Sequence, residues 1–290
     1  MNLNAPNLYA PPPYAERIVR LALGVEPRDV ARGGRALSPL RVTVEEHPDP
    51  LGAWRRWAPG EQLDDVLPAL ERHGTGRFAR LLDDATGTTQ RIRISDPRRR
   101  YVPRRFAVSI ADEDAVVTAE TDPTIPDIGP AARIFTPSLY PGAAAEVAGL
   151  QVRGRITRGG LAVRWARVRA TLTSTGEVAG WAHADDRGEY LLPIANPVHQ
   201  IGFTPDPVPV TLTAGYQDPA PVPPDDDPLR VVVDPLWDLP EEPVLALPVP
   251  DDPAGTVTDG RTFPTGFATH TFASIPLAQG RPHVVDLDLP

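Results

Sequence analysis

The sequence predicts an all-β protein of two sandwich-like domains with one short helix and a proline-rich N-terminal arm. Three observations lead there. Short runs of strict period-two alternation recur along the chain, the mark of half-buried strands. Proline supplies 37 of the 290 residues, far above the average share of about 5%. A residue barred from helix interiors and central strands implies short strands joined by stiff loops. Finally, a hydrophobic content of 41% with only 6% aromatics and one methionine points to cores of Val, Leu, Ile and Ala. A chain of 290 residues exceeds the usual single-domain size, so two domains are expected.

Residues 1–13 end in Pro11-Pro12-Pro13 and read as an extended arm, because polyproline stiffness holds such a segment away from the body. An N-terminal β-domain over residues 14–111 comes next. Its first strand carries Val19, Leu21, Leu23 and Val25 on one side; Glu26-Pro27 would break a helix early, and Leu40, Val42 and Val44 supply an alternating partner. The short helix is expected from Glu61 to Arg72, where Leu63, Val66, Leu67 and Leu70 recur at helical spacing. Strands resume at Arg77 to Leu82, Gln90 to Ile94 and Arg104 to Ile110, with Ile92, Ile94, Phe106, Val108 and Ile110 facing in. Residues 112–132, acidic and punctuated by proline, read as a linker.

The second domain is expected over residues 133–290, opening with an edge strand from Arg133 to Tyr140. Its clearest part runs from Leu150 to Tyr216. Leu150, Val152 and Ile156 alternate with Gln151, Arg153 and Arg155, and Arg158-Gly159-Gly160 supplies a tight reversal because glycine accepts positive φ. The return strand carries Ala162, Ala166, Val168, Ala170 and Leu172 inward, with Arg167, Arg169 and Thr171 outward. Val178 to His183 forms another strand, closed by Asp185-Asp186-Arg187-Gly188, a sequence suited to a type I turn. Tyr190, Leu192 and Ile194 share a face, and Val210, Leu212, Ala214 and Tyr216 alternate with Thr211 and Thr213.

Gly154, the Gly160 turn, Ala166-Arg167-Val168, Asp185 to Tyr190 and Ala214-Gly215-Tyr216, in that order, resemble the carboxypeptidase regulatory-like domain, one of the transthyretin-like β-sandwiches. Trp165 and Trp181 near the hairpin depart from its usual pattern. The resemblance implies a non-catalytic module used as a folding aid, a spacer or a partner-binding surface. Two further phrases, Asp96-Pro97-Arg98-Arg99-Arg100-Tyr101-Val102-Pro103-Arg104-Arg105-Phe106 and Trp165-Ala166-Arg167-Val168, are similar to accessory proteins of phage-tail-like contractile injection systems. Beyond Tyr216 come a proline and aspartate loop, the run Arg230 to Val233, and a terminal strand with Val285, Leu287 and Leu289 in and Asp286 and Asp288 out.

The formal charge of −9 is concentrated C-terminally: residues 201–290 hold 3 arginines against 14 acidic residues. Such polarity disfavours nucleic acid and suits head-to-tail pairing with a basic surface on a neighbouring subunit. Arg98, Arg99, Arg100, Arg104 and Arg105 around Tyr101 form the sharpest basic cluster and the candidate partner contact. With no cysteine, neither disulfides nor thiolate-bound metals are available. A secretory leader and a membrane span are not expected, which makes the cytoplasm the default location.

Candidate chemistry is sparse. His183, Asp185 and Asp186 could approach a divalent ion, but alternation aims only His183 and Asp185 to one side, with no third ligand in sequence, and the aspartates already suit turn opening. Asp225-Asp226-Asp227 and Asp251-Asp252 lack EF-hand spacing. No Gly-x-Ser-x-Gly elbow or phosphate-binding glycine pattern occurs. No catalytic residue, cofactor or metal is therefore assigned. The expected role is a non-catalytic structural or adaptor subunit of a multi-protein assembly, with other protein subunits, including copies of itself, as partners. A carbohydrate- or surface-binding module using Trp54, Trp57, Trp165 and Trp181 is one alternative. A hydrolase carrying a β-sandwich accessory domain is the other.

Overall fold

The computed structural model describes residues 20–45, 67, 69–82, 89–109, 121, 134–195, 207–221, 234–244, 254–278 and 281–290. They build an all-β chain. The strands of its first part are β1 (Arg20–Val25), β2 (Arg28–Asp29), β3 (Arg41–Val44), β4 (Glu71–Arg72), β5 (Phe78–Leu82), β6 (Thr89–Ser95) and β7 (Arg104–Ser109). Then come β8 (Ile134–Phe135), β9 (Ser138–Leu139), β10 (Gln151–Arg158), β11 (Leu161–Ala162), β12 (Arg167–Leu172), β13 (Val178–His183), β14 (Glu189–Pro193) and β15 (Val208–Gln217). Last are β16 (Glu241–Val244), the helix α1 (Ala254–Asp259), β17 (Phe267–Thr271), β18 (Ile275–Leu277), β19 (His283–Val284) and β20 (Leu287–Leu289).

Four sheets pack as two sandwich-like bodies. In the first, β4-β5-β1-β8 faces β16-β7-β6-β3, and Leu23, Val25, Phe78 and Phe135 meet Val42, Ile92, Phe106 and Val108 in one core. In the second, a sheet centred on β10, with β14 and β11 on one side and β19 and β20 on the other, covers the sheet β13-β12-β15-β17. Val152, Ile156, Val168, Leu192, Leu212 and Leu287 fill the space between.

The first body is not continuous in sequence. The strand expected from Arg133 to Tyr140 does not lead into the central module: β8 adds in parallel to β1, and β9 adds in parallel to β2. Likewise β16 adds in parallel to β7. Parallel partners cannot arrive through a tight hairpin, so local pattern gave no hint of where these short strands would dock.

Other differences are informative. Residues 61–66 and 68 of the expected helix lie outside the described residues, but Glu71–Arg72 is a strand on β5 and Ala69 bridges to Thr43. The described residues also hold a helix at Ala254–Asp259, where Gly255 and two threonines give no propensity signal. The strand after Gly159 and Gly160 runs only to Ala162. Trp165, at φ 59°, then turns the chain across to the opposite sheet as β12. The expected inward faces of β10, β14 and β15 are buried as their alternation requires. The type I turn closes from Gly188 N–H to Asp185 C=O at 3.1 Å. The 1–13 arm, Ile110, Trp54, Trp57, nearly all of the 112–132 linker and the runs 225–227, 231–233 and 251–252 lie outside the described residues.

Candidate functional site

Among the described residues, buried ionisable groups converge where the two bodies meet. Period two places Arg104 on the same face of β7 as Phe106 and Val108, and places Glu242 on the same face of β16 as Val244. A charged side chain on an apolar face must find a partner there, since an unpaired buried charge costs several kcal/mol. Because β16 lies parallel to β7, the two meet. Arg104 grips Glu242 in a fork, Nε to Oε1 at 2.9 Å and an η nitrogen to Oε2 at 2.7 Å. From the second body, Arg167 of β12 reaches the same Oε2 at 2.7 Å. Arg104, Arg167 and Glu242 are only 1%, 3% and 3% exposed.

The remaining donors of this cluster close the end of α1. A helix terminus leaves its last carbonyls without intrahelical partners, and these attract cations. Arg104 donates to Val257 O at 2.5 Å and Thr258 O at 2.8 Å, Tyr140 Oη–H to Asp259 O at 2.7 Å, and Arg167 to Thr262 O at 2.6 Å. His183 Nε2 lies 3.0 Å from Gly260 O, so that nitrogen carries the proton. The His183 ring stacks on Tyr140 with centroids 4.0 Å apart. Gly260 sits at φ 67°, and a Cβ there would come within 2.8 Å of the Tyr140 ring and 2.9 Å of the His183 ring. Only glycine fits.

Electrostatics settle the protonation states. Burial pushes the Glu242 carboxyl up, but the charges and hydrogen bonds of Arg104 and Arg167 outweigh it and hold the group below its ordinary value, ionised. Burial, then the Arg167 and Arg104 charges, hold His183 well below its ordinary value, so the ring is neutral. Burial pushes Tyr140 up. A carboxylate clamped between two guanidiniums and a neutral imidazole committed to a carbonyl leave no group poised to exchange protons with a substrate. What the arrangement can do is join.

A strap at 234–244 extends the joint. Asp234 takes a fork from Arg93 of β6, at 2.7 and 3.0 Å, and Asp238 accepts Arg164 and the Trp165 indole N–H, both at 2.7 Å. Leu236 and Leu239 pack with Val102 and Trp165. Alongside, Glu45 binds both Arg93 and Arg105. The C-terminal acids at 234–242 thus pair with arginines of their own chain.

The predicted basic cluster is therefore dispersed. Arg98 is exposed, and Arg99, at φ 54°, makes an ion pair with Asp186 at 3.1 Å. Arg100 donates to Ser38, and Arg105 pairs with Glu45. Two members correct the expectation of a shared surface: Tyr101 is buried, donating to Asp29 at 2.6 Å, and Arg104 belongs to the joint. Arg167, expected outward, does face away from its sandwich, but that face is covered by the other body. His183, Asp185 and Asp186 do not converge: His183 is in the joint, Asp185 accepts the Arg187 and Glu189 amides, and Asp186 pairs with Arg99. Among the described residues no group of three or more His, Asp or Glu side chains is placed to hold a metal ion. Trp165 and Trp181 are 4% and 8% exposed, so neither offers the sugar platform the alternative reading needed. A cleft of about 460 Å³ between the bodies is lined by Asp96, Arg99, Asp185 and Asp186. Asp96 is occupied by the Arg98 and Arg100 amides and by Ser38.

Sequence reasoning missed Glu242, Asp234, Asp238, Tyr140 and Gly260. For Glu242 a signal existed, an acid in step with Val244 on a strand's inward face. For the rest, only the fold brings the partners together.

No family model and no curated protein matches the sequence. Among solved structures, a streptococcal ancillary pilin is similar at 9% identity and a TM-score of 0.21, over 92% of this chain and 62% of that one. A double mutant of the shaft pilin SpaA from Lactobacillus rhamnosus GG gives 9% identity and a TM-score of 0.22, over 92% and 98%. Scores this low carry no argument about fold or role, so function has to come from this chain's own geometry. Among the described residues no helix is long and apolar enough to cross a membrane.

Proposed function

We propose that this chain is a non-catalytic structural or adaptor subunit of a multi-protein assembly. The observation that carries this reading is the joint itself. Among the described residues, the buried charged and titratable groups Arg104, Arg167, Glu242 and His183 are spent on ion pairs and hydrogen bonds that join the two β-bodies. A subunit that holds neighbours in fixed relation needs such rigidity; an enzyme needs those groups facing a substrate. Within this class, a phage-tail-like contractile injection particle is the specific setting proposed, on the Asp96 to Phe106 and Trp165 to Val168 phrases. Residues 150–216 serve there as the carboxypeptidase regulatory-like module. Arg98 and Arg99 remain on the surface as partner contacts.

The test is a native mass measurement of the protein purified from its source without denaturation. Recovery in a particle of several subunits is the expected outcome. A lone monomer at every step of a gentle purification would overturn the reading.

A further inference from the structure

We infer that the groove along the outer edge of β10, filled by the chain's own C-terminal strand, also accepts that strand from a second copy of the chain. The inference names the partner at the surface proposed above and rests on that reading.

The groove is built for this segment. Along β10 the partners are Val152 with His283, Arg153 with Val284, Ile156 with Leu287, Thr157 with Asp288 and Arg158 with Leu289, all parallel. Between the two pairings the terminal strand presses its Val285 carbonyl against Gly154, where a Cβ would lie 1.8 Å from that oxygen, and Tyr190 Oη–H donates to the same carbonyl at 2.7 Å. Any side chain at position 154 would push the strand off. Leu287 and Leu289 enter the core of the sandwich.

Polar groups match as well. Asp286 accepts the Arg155 backbone amide at 2.8 Å, Asp288 accepts Thr157 Oγ1–H at 2.8 Å, and Arg158 Nε donates to Pro290 O at 2.9 Å. Each of these hydrogen bonds is made to β10 or β14. Among the described residues, a bond back toward its lead-in joins His283 Nε2 and Ala278 O at 2.8 Å. The lead-in also leaves the other sheet, since β18 pairs with β15. An identical segment from a second copy can therefore make the same contacts, and exchange of an identical element between protomers is a low-cost route to association. Within one chain the segment competes at an effective concentration of roughly millimolar, so exchange grows where copies are crowded, as they are in an assembly.

The absence of cysteine makes the test clean. Thr157 and Asp288 are direct neighbours across the pair, and adjacent strands lie about 4.8 Å apart, within disulfide reach. The double variant Thr157→Cys/Asp288→Cys should close within one chain on oxidation. Single variants Thr157→Cys and Asp288→Cys, refolded together over a rising concentration series, should give a disulfide-linked dimer. Its yield should rise with concentration, stand several-fold above a mismatched mixture of Thr157→Cys with Val178→Cys, and fall when a peptide of residues 281–290 is added. A matched yield no greater than the mismatched one, with the double variant closing normally, would overturn the inference. So would failure of the double variant to close, which would mean the strand does not sit in this register. Native mass of the unaltered protein separates the two levels. A multi-subunit particle without the matched link rejects exchange alone; a monomer rejects the assembly reading with it.

Discussion

The two bodies solve the same packing problem differently. The sandwich around β10 and β12 is built mainly from strands that follow one another closely, and a core of Val, Leu, Ile, Ala and Tyr lies between its sheets, with the buried Arg167 and His183 at the joint. The body around β6 and β7 borrows β8, β9 and β16 from far along the chain, and charges such as Glu26, Arg93, Asp96 and Arg104 are buried within it. One is held by apolar area, at roughly 25 cal/mol per Å² removed from water. The other is held in register by forks between arginine and carboxylate. Such pairs add little net stability where they replace well-packed apolar groups, yet breaking one is costly. The difference therefore predicts different failure modes.

The largest effect should follow Glu242→Leu, which leaves Arg104 and Arg167 buried without a counter-charge. A loss of about 3–5 kcal/mol is expected, read as a lower denaturant midpoint with the first body opening ahead of the sandwich. A shift below about 1 kcal/mol would show that the joint is solvated. Leu212→Ala, in the apolar core, should cost about 2–5 kcal/mol while the two bodies still unfold in one transition. That contrast is the sharpest separation of the two designs.

Gly260→Ala tests the ring contacts at the helix end. It combines a strained φ with a clash against Tyr140 and His183, and a loss of about 1–3 kcal/mol is expected in thermal melts.

Acid should act on the joint in two stages. His183 has a lowered pKa when folded, so the unfolded chain binds the extra proton first; its contribution is complete above pH 6.5 and is lost as pH falls below that value. Glu242 is also lowered, so its contribution is complete above pH 4.5 and is lost as pH falls further. Stability measured from pH 8 to 4 should decline from pH 6.5 downward, and His183→Gln should remove most of that slope above pH 4.5. The smallest effect belongs to Arg99→Ala: its pair with Asp186 is exposed, and no more than about 1 kcal/mol should be lost.

How much of this was legible in the sequence follows the same division. In the sandwich, alternation and turn chemistry identify β10, β14 and β15, because partner strands lie close by and one face is buried. In the first body the alternation of Ile92, Ile94, Phe106 and Val108 is equally readable, but its docking strands are short and parallel and come from remote segments. Arg104 was visible as a surface charge within a basic run, although its step with Phe106 and Val108 already placed it on the inward face. Arg167 shows the complementary limit. Its direction away from the sandwich was readable, but the second body covering that face was not. Gly260 and Tyr140 carry no local sign of their role, because the carbonyls and ring they serve are assembled only by the fold.

Amide hydrogen exchange of β7 and β12 in the unaltered protein and in Glu242→Leu tests most directly whether the bodies form one rigid unit. A shared joint predicts that amides of both strands lose protection, those of β7 more than those of β12. Loss confined to β7, with β12 unchanged, would contradict it and leave two bodies that merely touch.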